Sequence, residues 1–217
     1  MLMALSGDAM TGEQWVQRRG LPTVTRPFSP MTAGLLGLAV DGPVLVRALT
    51  IVATQGEVWM EPVTRAGQDA PVGGEEDPLL LASGQGLLTL DPGDHRVAVL
   101  KLDNSEATVI EQALFGTSSG VNRQDGVLGA SGAFAGLPCM RFTGVGVVAV
   151  RSPASVRAVP VAPNQPFTVS LQHLLAFEGS LVCNVAPAIP GLQLPAFRRS
   201  VTLQGTGVAL LRAGSRP

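Results

Sequence analysis

A glycine pair that interrupts an apolar segment recurs along the chain and strongly constrains the fold. It occurs three times, as Gly84-Gln85-Gly86, Gly144-Val145-Gly146 and Gly205-Thr206-Gly207. The first glycines of the pairs are 60 and 61 residues apart, and a second motif begins 30 residues after the first two of them, at Leu114 and Leu174. An earlier copy of that second motif begins at Ile51. Two motifs that keep the same spacing predict an internal repeat.

The composition predicts that the repeated unit consists of strands. The 217 residues include 26 glycines and 17 prolines, whereas charged residues make up 14% and aromatic residues 4%. This profile is typical of many short strands joined by turns. Glycine inside an apolar strand marks a bulge, a bend or the close approach of another backbone. We therefore predict an all-β fold, a β-sandwich or roll of pseudo-symmetric units of about 60 residues.

Apolar segments bounded by turn residues predict the individual strands. These segments are 35–40, 44–53, 56–63, 79–82, 87–90, 96–102, 107–116, 140–150, 167–172 and 200–211. Asp103 and Asn104 are predicted to form a turn between two of them. In the strand at 167–172, Phe167, Val169 and Leu171 are expected to face inwards. The segment 146–150 is apolar apart from its first glycine, as expected for a strand covered on both faces.

The chain is expected to form one domain with short additions at both ends. The domain covers residues 22–213, a weakly structured extension occupies 1–21, and 214–217 form a tail. The predicted repeat units are 22–78, 79–139 and 140–213. Residues 65–78 and 116–138 are rich in glycine and polar residues, and we predict loops there.

The charges and the apolar segments argue against several classes of function. Fifteen basic and sixteen acidic residues give a net charge of −1, without a basic cluster for nucleic acid. Trp15 and Trp59, with no tyrosine in the chain, do not form a stacking platform for bases. No apolar stretch reaches the roughly 20 residues of a membrane span, and no basic amphipathic helix supports peripheral binding to a membrane. Residues 1–10 lack the features of a secretory signal, so we expect a cytoplasmic protein.

One segment matches the sequence pattern of a serine nucleophile. Gly116-Thr117-Ser118-Ser119-Gly120 fits G-x-S-x-G, which places a serine between a strand and a helix in α/β-hydrolases. The residues that follow are poor helix formers, so we interpret the segment as a turn. Likewise, the glycine pairs lack the third glycine, the helix and the lysine of a phosphate-binding loop. We predict no catalytic residue and no cofactor-binding residue.

The residues that most often bind metals are too few and too scattered for a metal site. His95 is predicted at the start of a strand and His173 within one, and neither has a carboxylate or thiol at ligand spacing. Both are expected to face solvent or to be hydrogen-bonded. Cys139 and Cys183 lie in apolar segments, where buried free thiols are expected. No metal is predicted.

The strands around the second and third glycine pairs resemble a known family. Thr143–Val147, Phe167–Gln172 and Leu174–Gly179 are similar to the AIM24 family, formerly a domain of unknown function with a TRAP-like (tryptophan RNA-binding attenuator-like) β fold. Val145 and Thr206 stand where that family has proline between the two glycines. The resemblance covers roughly residues 22 to 213. It implies a compact, often oligomeric β-sandwich and no accepted catalytic residues, and a mitochondrial member is linked to inner-membrane organisation.

Two functional hypotheses of different classes follow. The first is a non-enzymatic structural or interaction module that self-associates through exposed sheet faces or edges, with an additional protein partner still to be identified. It is favoured by the lack of a catalytic constellation and by the 46% of hydrophobic residues. The second is a small-ligand-binding β-sandwich with a pocket between units and an associated enzymatic activity, in which the loops at 65–78 and 116–138 would act as lids.

Overall fold

The described part of the chain forms a single antiparallel sheet of thirteen strands. The computed structural model describes residues 27–65, 67–128, 136–187 and 199–213. No α-helix is present in these ranges, and the helical elements there are four 3₁₀ turns of three residues. The all-β prediction is therefore confirmed. The strands are β1 (Phe28–Pro30), β2 (Leu36–Val40), β3 (Val44–Arg47), β4 (Ile51–Pro62), β5 (Leu79–Leu90), β6 (Arg96–Ile110), β7 (Leu114–Thr117), β8 (Val121–Leu128), β9 (Leu137–Ser152), β10 (Val156–Val161), β11 (Phe167–Ser170), β12 (Leu174–Pro187) and β13 (Arg199–Arg212).

Each glycine pair lies in the middle of a long strand that organises its neighbours. β5 pairs with β2, β3 and β4, β9 pairs with β6, β7 and β8, and β13 pairs with β10, β11 and β12. The second glycine of each pair faces the last residue of an apolar segment, in the register partners Val40–Gly86, Leu102–Gly146 and Val161–Gly207. The predicted strands at 79–82 and 87–90 are thus one strand that runs through its glycines.

Two further pairings connect these groups of strands. β3 pairs with β7 through Val46 and Gly116, and β6 pairs with β12 through Val109 and Ala176. The sheet therefore runs without interruption from β1 to β10. One large apolar cluster contains Phe142, Leu175 and Leu203, and a second one lies around Phe115 and the strands β2, β3 and β5. Burial of these side chains provides the main favourable contribution to folding.

Both glycines of the first pair are required by the close approach of β4. Gly84 has a φ of +118°, and a Cβ there would overlap the Glu57 carbonyl oxygen. Gly86 lies beneath Val58, whose Cγ2 would be 2.7 Å from an added Cβ. The predicted close approach of another backbone is therefore confirmed. The remaining pairs are alike: Gly144 and Gly205 have φ of +118° and +125°, and Val121 and Leu181 cover Gly146 and Gly207.

Two predicted boundaries are wrong. The segment 44–53 is not one strand, because a 3₁₀ turn at Ala48–Thr50 separates β3 from β4. Asp103 and Asn104 do not turn the chain; the register of β6 against β9 shifts there, and Asn104 takes up a φ of 54°. Such a bulge accepts turn-forming residues without ending the strand.

The predicted loop at 116–138 contains a strand, β8, and its residues 129–135 lie outside the described part of the chain. β8 pairs with β9 along its full length, from Val121 opposite Gly144 to Leu128 opposite Leu137. Alternating half-buried and exposed residues mark most of β8, although its side chains are largely polar. Its polar composition concealed the period of two that identifies a strand. By contrast, residues 67–78 are irregular as predicted.

Two predicted burial patterns are confirmed in part. Val148, Ala149 and Val150 are fully buried, as expected for a strand covered on both faces, whereas Val147 is half-buried. Phe167 and Val169 are half-buried and Thr168 is exposed, which agrees with the predicted alternation in β11. The predicted extension at 1–21 and the tail at 214–217 lie outside the described residues.

Candidate functional site: an open strand edge and a buried arginine

β4 is a long strand with one open edge. Its register partners along all of its length belong to β5, and no other described strand pairs with it. Its residues are exposed except for Ile51 and Val58, which are half-buried. Exposed apolar side chains are concentrated here, with Val52 58% exposed, Trp59 65% and Met60 38%. An open edge offers unpaired N–H and C=O groups to another strand, so this surface can bind a partner backbone.

The neighbouring glycine holds the exposed indole of Trp59. A Cβ at Gly84 would lie 3.0 Å from two ring carbons of Trp59, so the indole rests on the glycine backbone. The aromatic ring therefore contacts the glycine while most of the side chain stays in solvent. A rigid exposed aromatic side chain loses little conformational entropy when a partner covers it.

A second unusual feature is a buried arginine at the end of β3, which contacts the 67–78 segment. Arg47 is 2% exposed, and its Nε donates to the Leu114 carbonyl at 3.0 Å and its Nη1 to the Asp77 carbonyl at 3.0 Å. Its Nη2 donates to the Glu111 carbonyl. Burial lowers the pKa of Arg47, and nearby Arg151 acts in the same direction, while Asp77 and Glu111 oppose the change. An arginine remains charged in such surroundings.

Carboxylates around Arg47 fix the 67–78 segment. Asp77 accepts from Arg151 at 2.7 Å and from the Leu49 amide at 3.1 Å. Glu111 pairs with Arg65 and accepts from the Gly73 amide at 3.2 Å. The sequence suggests this segment as a lid, but Asp77 is bonded to Arg47 of β3 and Gly73 to Glu111 in the turn before β7. The arrangement stabilises the fold and offers no free charged group for chemistry.

The serine of the G-x-S-x-G segment is part of the backbone network. Ser118 is 3% exposed, and its hydroxyl accepts from the Val147 amide at 2.8 Å and donates to the Ser119 carbonyl at 3.1 Å. A strand, β8, follows the turn, whereas a nucleophile elbow needs a helix at that point. The predicted turn is confirmed only at Ser119 and Gly120, because Gly116 and Thr117 belong to β7.

The histidines are placed apart from each other and from ligand sets. His173 lies at the end of a 3₁₀ turn rather than in a strand, and its ring contacts the Arg212 carbonyl at 3.1 Å through Nδ1. Its Nε2 lies 2.8 Å from the Gln172 amide nitrogen, which confirms the predicted hydrogen-bonded histidine. His95 is half-buried in the turn before β6. Within the described ranges, no three His, Cys, Asp or Glu side chains are grouped as a metal site requires.

Both cysteines are free thiols, and they differ in exposure. Cys139 is buried, as predicted, while Cys183 is half-buried. Burial, together with the proximity of Cys183, raises the pKa of Cys139 from 9.0 to about 11. Burial also raises the pKa of Cys183. Raised pKa values keep both side chains as weakly nucleophilic thiols near neutral pH.

Neither the buried Arg47 nor the exposed Trp59 on the open edge is predicted from the sequence. Arg47 was hidden because it interrupts the apolar segment 44–53 only once, although a lone arginine in such a segment is the signal that could have revealed it. From the sequence, Trp59 is assessed only for base stacking, and Trp15 lies outside the described residues.

Among the helical turns that the structure describes, none has the length and apolarity to cross a membrane.

These observations define a class of protein: an all-β chain with a continuous antiparallel sheet, three long strands that each contain a glycine pair, and an open strand edge with exposed apolar side chains. Residues 30–214 match the model of the family described as "Mitochondrial biogenesis AIM24". The chain belongs to the AIM24 family, and the resemblance that the sequence suggested is confirmed.

A solved structure has the same fold. The crystal structure of protein SPYM3_0169 from Streptococcus pyogenes aligns with a TM-score of 0.67 and 17% sequence identity, over 87% of this chain and 93% of that chain. Similarity at this level of identity concerns the fold alone. A search among curated proteins found no match.

Proposed function

We propose that this protein is a non-enzymatic, scaffold-like structural module that self-associates through its sheet edge. The observation that carries the proposal is β4, a twelve-residue strand with an open edge that exposes Val52, Trp59 and Met60. Natural proteins usually shorten, charge or cover such edges because they promote association. β4 stays long, and its first residues carry no charge although Glu57 and Glu61 are exposed further along, so the start of this edge is suited to a partner strand.

We also infer that the chain consists of three repeats of one unit. The glycine strands β5, β9 and β13 have equivalent partners, and a 3₁₀ turn of three residues precedes β4, β7 and β12 in turn. In each unit an apolar side chain, of Val58, Val121 or Leu181, covers the second glycine. These correspondences favour units in which the glycine strand is the last element. The units are then approximately 36–90, 96–152 and 156–212, and each begins later in the chain than the corresponding unit predicted from the spacing alone.

The alternative function, a small-ligand-binding sandwich with an enzymatic activity, has less support. Residues 121–128 of one expected lid form the strand β8, and the other expected lid is bonded to Arg47 through the Asp77 carbonyl. The serine that would offer a nucleophile is hydrogen-bonded to the β9 backbone. No described residue favours this function over the structural one.

Native mass spectrometry tests the proposal. We expect the purified protein at micromolar concentration to give an integer multiple of the chain mass, and Val52→Arg to shift it towards the single chain. Val145→Arg is the matched control, because Val145 is 56% exposed but lies in β9, which is paired on both sides. A wild-type protein that stays a single chain at all concentrations would refute self-association. Extra mass that disappears on denaturation would favour the ligand-binding alternative.

A further inference from the structure

Two junctions within the chain have the same construction. At the first, β7 pairs with β3, with Gly116 opposite Val46. At the second, β12 pairs with β6, with Ala176 opposite Val109. In both, the strand that begins just after a 3₁₀ turn adds to the edge of a strand that ends just before such a turn. The sheet is continuous across both junctions because of these pairings.

Each junction contains a bulge that directs one apolar side chain across it. The register of β7 against β9 shifts between Leu114 and Gly116, and that of β12 against β13 shifts between Leu174 and Ala176. The residues at the two bulges, Phe115 and Leu175, are 0% and 1% exposed. Phe115 is buried in a cluster with Val46 of the partner strand. A bulge re-aims a side chain, and that of Phe115 packs among residues of β2, β3 and β5, the neighbouring group of strands.

The two strands that would form a third junction of this kind are both present, but they do not pair with each other. The register of β4 against β5 shifts between Ile51 and Ala53, at the same place as in β7 and β12. The residue at this bulge is Val52, which is apolar like Phe115 and Leu175 but 58% exposed. Its complement is β11, which pairs with β13 on one side and with no described strand on the other.

Residue equivalence defines how the missing junction would pair. Val46 and Val109 are the second-last residues of their strands, and Val169 has this position in β11. Gly116 and Ala176 follow the bulge residues, as Ala53 does in β4. Val169 is half-buried, whereas Val46 and Val109 are fully buried, so this position also lacks its cover. In the described part of the chain, β4 and β11 are not partners.

We propose that β4 of one molecule pairs antiparallel with β11 of a second copy of this chain, with Ala53 opposite Val169 and Val52 inserted as Phe115 and Leu175 are. The inference rests on the proposed self-association and names its interface. The second copy is the fitting occupant because the chain already builds this junction twice with the same bulge and the same strand ends. Such an interface is head-to-tail, so each molecule has one free β4 edge and one free β11 edge, and assembly proceeds as a ring or an open array.

Disulfide trapping between two differently labelled chains tests the register. Ala53→Cys and Val169→Cys are made separately, each with Cys183→Ser to remove the half-buried native thiol, and each variant is first checked for wild-type thermal unfolding. Cross-strand neighbours have Cβ atoms about 4.5–5.5 Å apart, close enough for a disulfide after modest adjustment. The two proteins are mixed and oxidised, and the products are identified by mass spectrometry without reductant.

We expect a covalent dimer with one chain of each kind, in roughly tenfold excess over the dimers that either variant forms alone. Thr54→Cys in place of Ala53→Cys is the register control, because adjacent residues in a strand point to opposite faces, and it should cross-link poorly. Efficient linking of Ala53→Cys to itself would overturn the head-to-tail interface in favour of a symmetric one. A disulfide within a single chain that carries both cysteines, formed in preference to the dimer, would overturn it in favour of closure of the chain on itself.

The test separates this inference from the proposed function. If native mass spectrometry shows a multiple of the chain mass but the mixed cysteines do not link, self-association stands and the β4–β11 interface is wrong. If the wild-type protein is a single chain, both are wrong.

Discussion

Arg47→Met removes a buried charge that connects three backbone segments. The side chain donates to the carbonyl groups of Leu114, Asp77 and Glu111, and it is 2% exposed. Methionine has a similar length and fills most of the volume, but it donates no hydrogen bond. The substitution therefore removes the guanidinium donor from three carbonyl groups while the packing stays largely intact, and of these the Glu111 carbonyl still accepts from the Leu114 amide.

The expected loss of stability can be estimated from these bonds. A hydrogen bond from a charged group contributes about 1.5–3 kcal/mol, and a buried acceptor without a partner costs about 1–3 kcal/mol. These contributions do not add fully, because removing the guanidinium also removes the cost of keeping it out of water. Removal of one partner from a buried ionic arrangement typically costs about 3–5 kcal/mol, and we expect a loss in that range. Arg47→Lys should lose less stability than Arg47→Met, because the ammonium group keeps the charge and can still donate hydrogen bonds. It should not restore full stability, because one ammonium group cannot reach all three carbonyl groups.

Urea unfolding provides the assay, with Arg141→Met as the matched control. Arg141 pairs with Glu106 on the surface, its side chain is 52% exposed, and its loss should cost less than about 1 kcal/mol. We expect Arg47→Met to lower the unfolding midpoint at an unchanged m-value, and hydrogen exchange to rise across residues 67–78. If Arg47→Met loses no more stability than the control, our account of this arginine is refuted.

Three smaller predictions concern single positions. Gly84→Ala should destabilise the protein by well over the roughly 1 kcal/mol expected for Gly74→Ala. Both glycines have a positive φ, but only at Gly84 would the new Cβ overlap a carbonyl group. Equal losses of stability in urea unfolding would contradict the close approach of β4 to Gly84. Ser118→Ala should cost about 1–2 kcal/mol by leaving a buried amide without its acceptor; if it instead abolished an esterase activity at unchanged stability, the serine would be catalytic. Because the pKa of Cys139 is raised from 9.0 to about 11, the unfolded thiol ionises first on raising the pH, so stability should fall by about 1–3 kcal/mol between pH 9 and 11. Cys139→Ala should abolish that part of the fall, and an unchanged slope would show that the thiol is not the cause.

Two of the three glycine strands, β9 and β13, could be predicted as continuous strands, whereas the sequence predicts two strands, 79–82 and 87–90, where the structure has β5. A neighbouring backbone passes so close to Gly84 and Gly86 that no side chain fits, and the surrounding apolar residues still show where the strand runs. The sequence thus contained both the strand and the reason for its glycines. What it did not reveal is which strand makes the approach, because pairing between distant segments leaves no local pattern.

The missed elements share a different cause. β8 is mostly polar, and Asp103 and Asn104 are typical turn residues, so local propensity favoured loops at both places. Pairing with β9 overrides that propensity in both cases. The open edge was equally hidden, because Val52 has no local signal that separates it from Phe115 or Leu175. Only the pairing shows that one of these three bulges lacks a neighbour.

The character of β4 distinguishes an edge built for a partner from one that is merely left over. Glu57 and Glu61 are exposed along it, and Pro62 ends it, which are features that restrain indiscriminate pairing. These restraints lie in the distal half of the strand, whereas Val52 and Ala53 near its start carry no charge and retain the bulge of the internal junctions. A chain that needed only protection would gain from a charge at Val52, where a long polar side chain would face solvent without strain. An apolar residue there is explained if a partner covers the position. The equivalent positions in β7 and β12 lie where these strands pair with β3 and β6. The counterpart of β3 and β6 is β11, whose edge away from β13 is paired with no described strand.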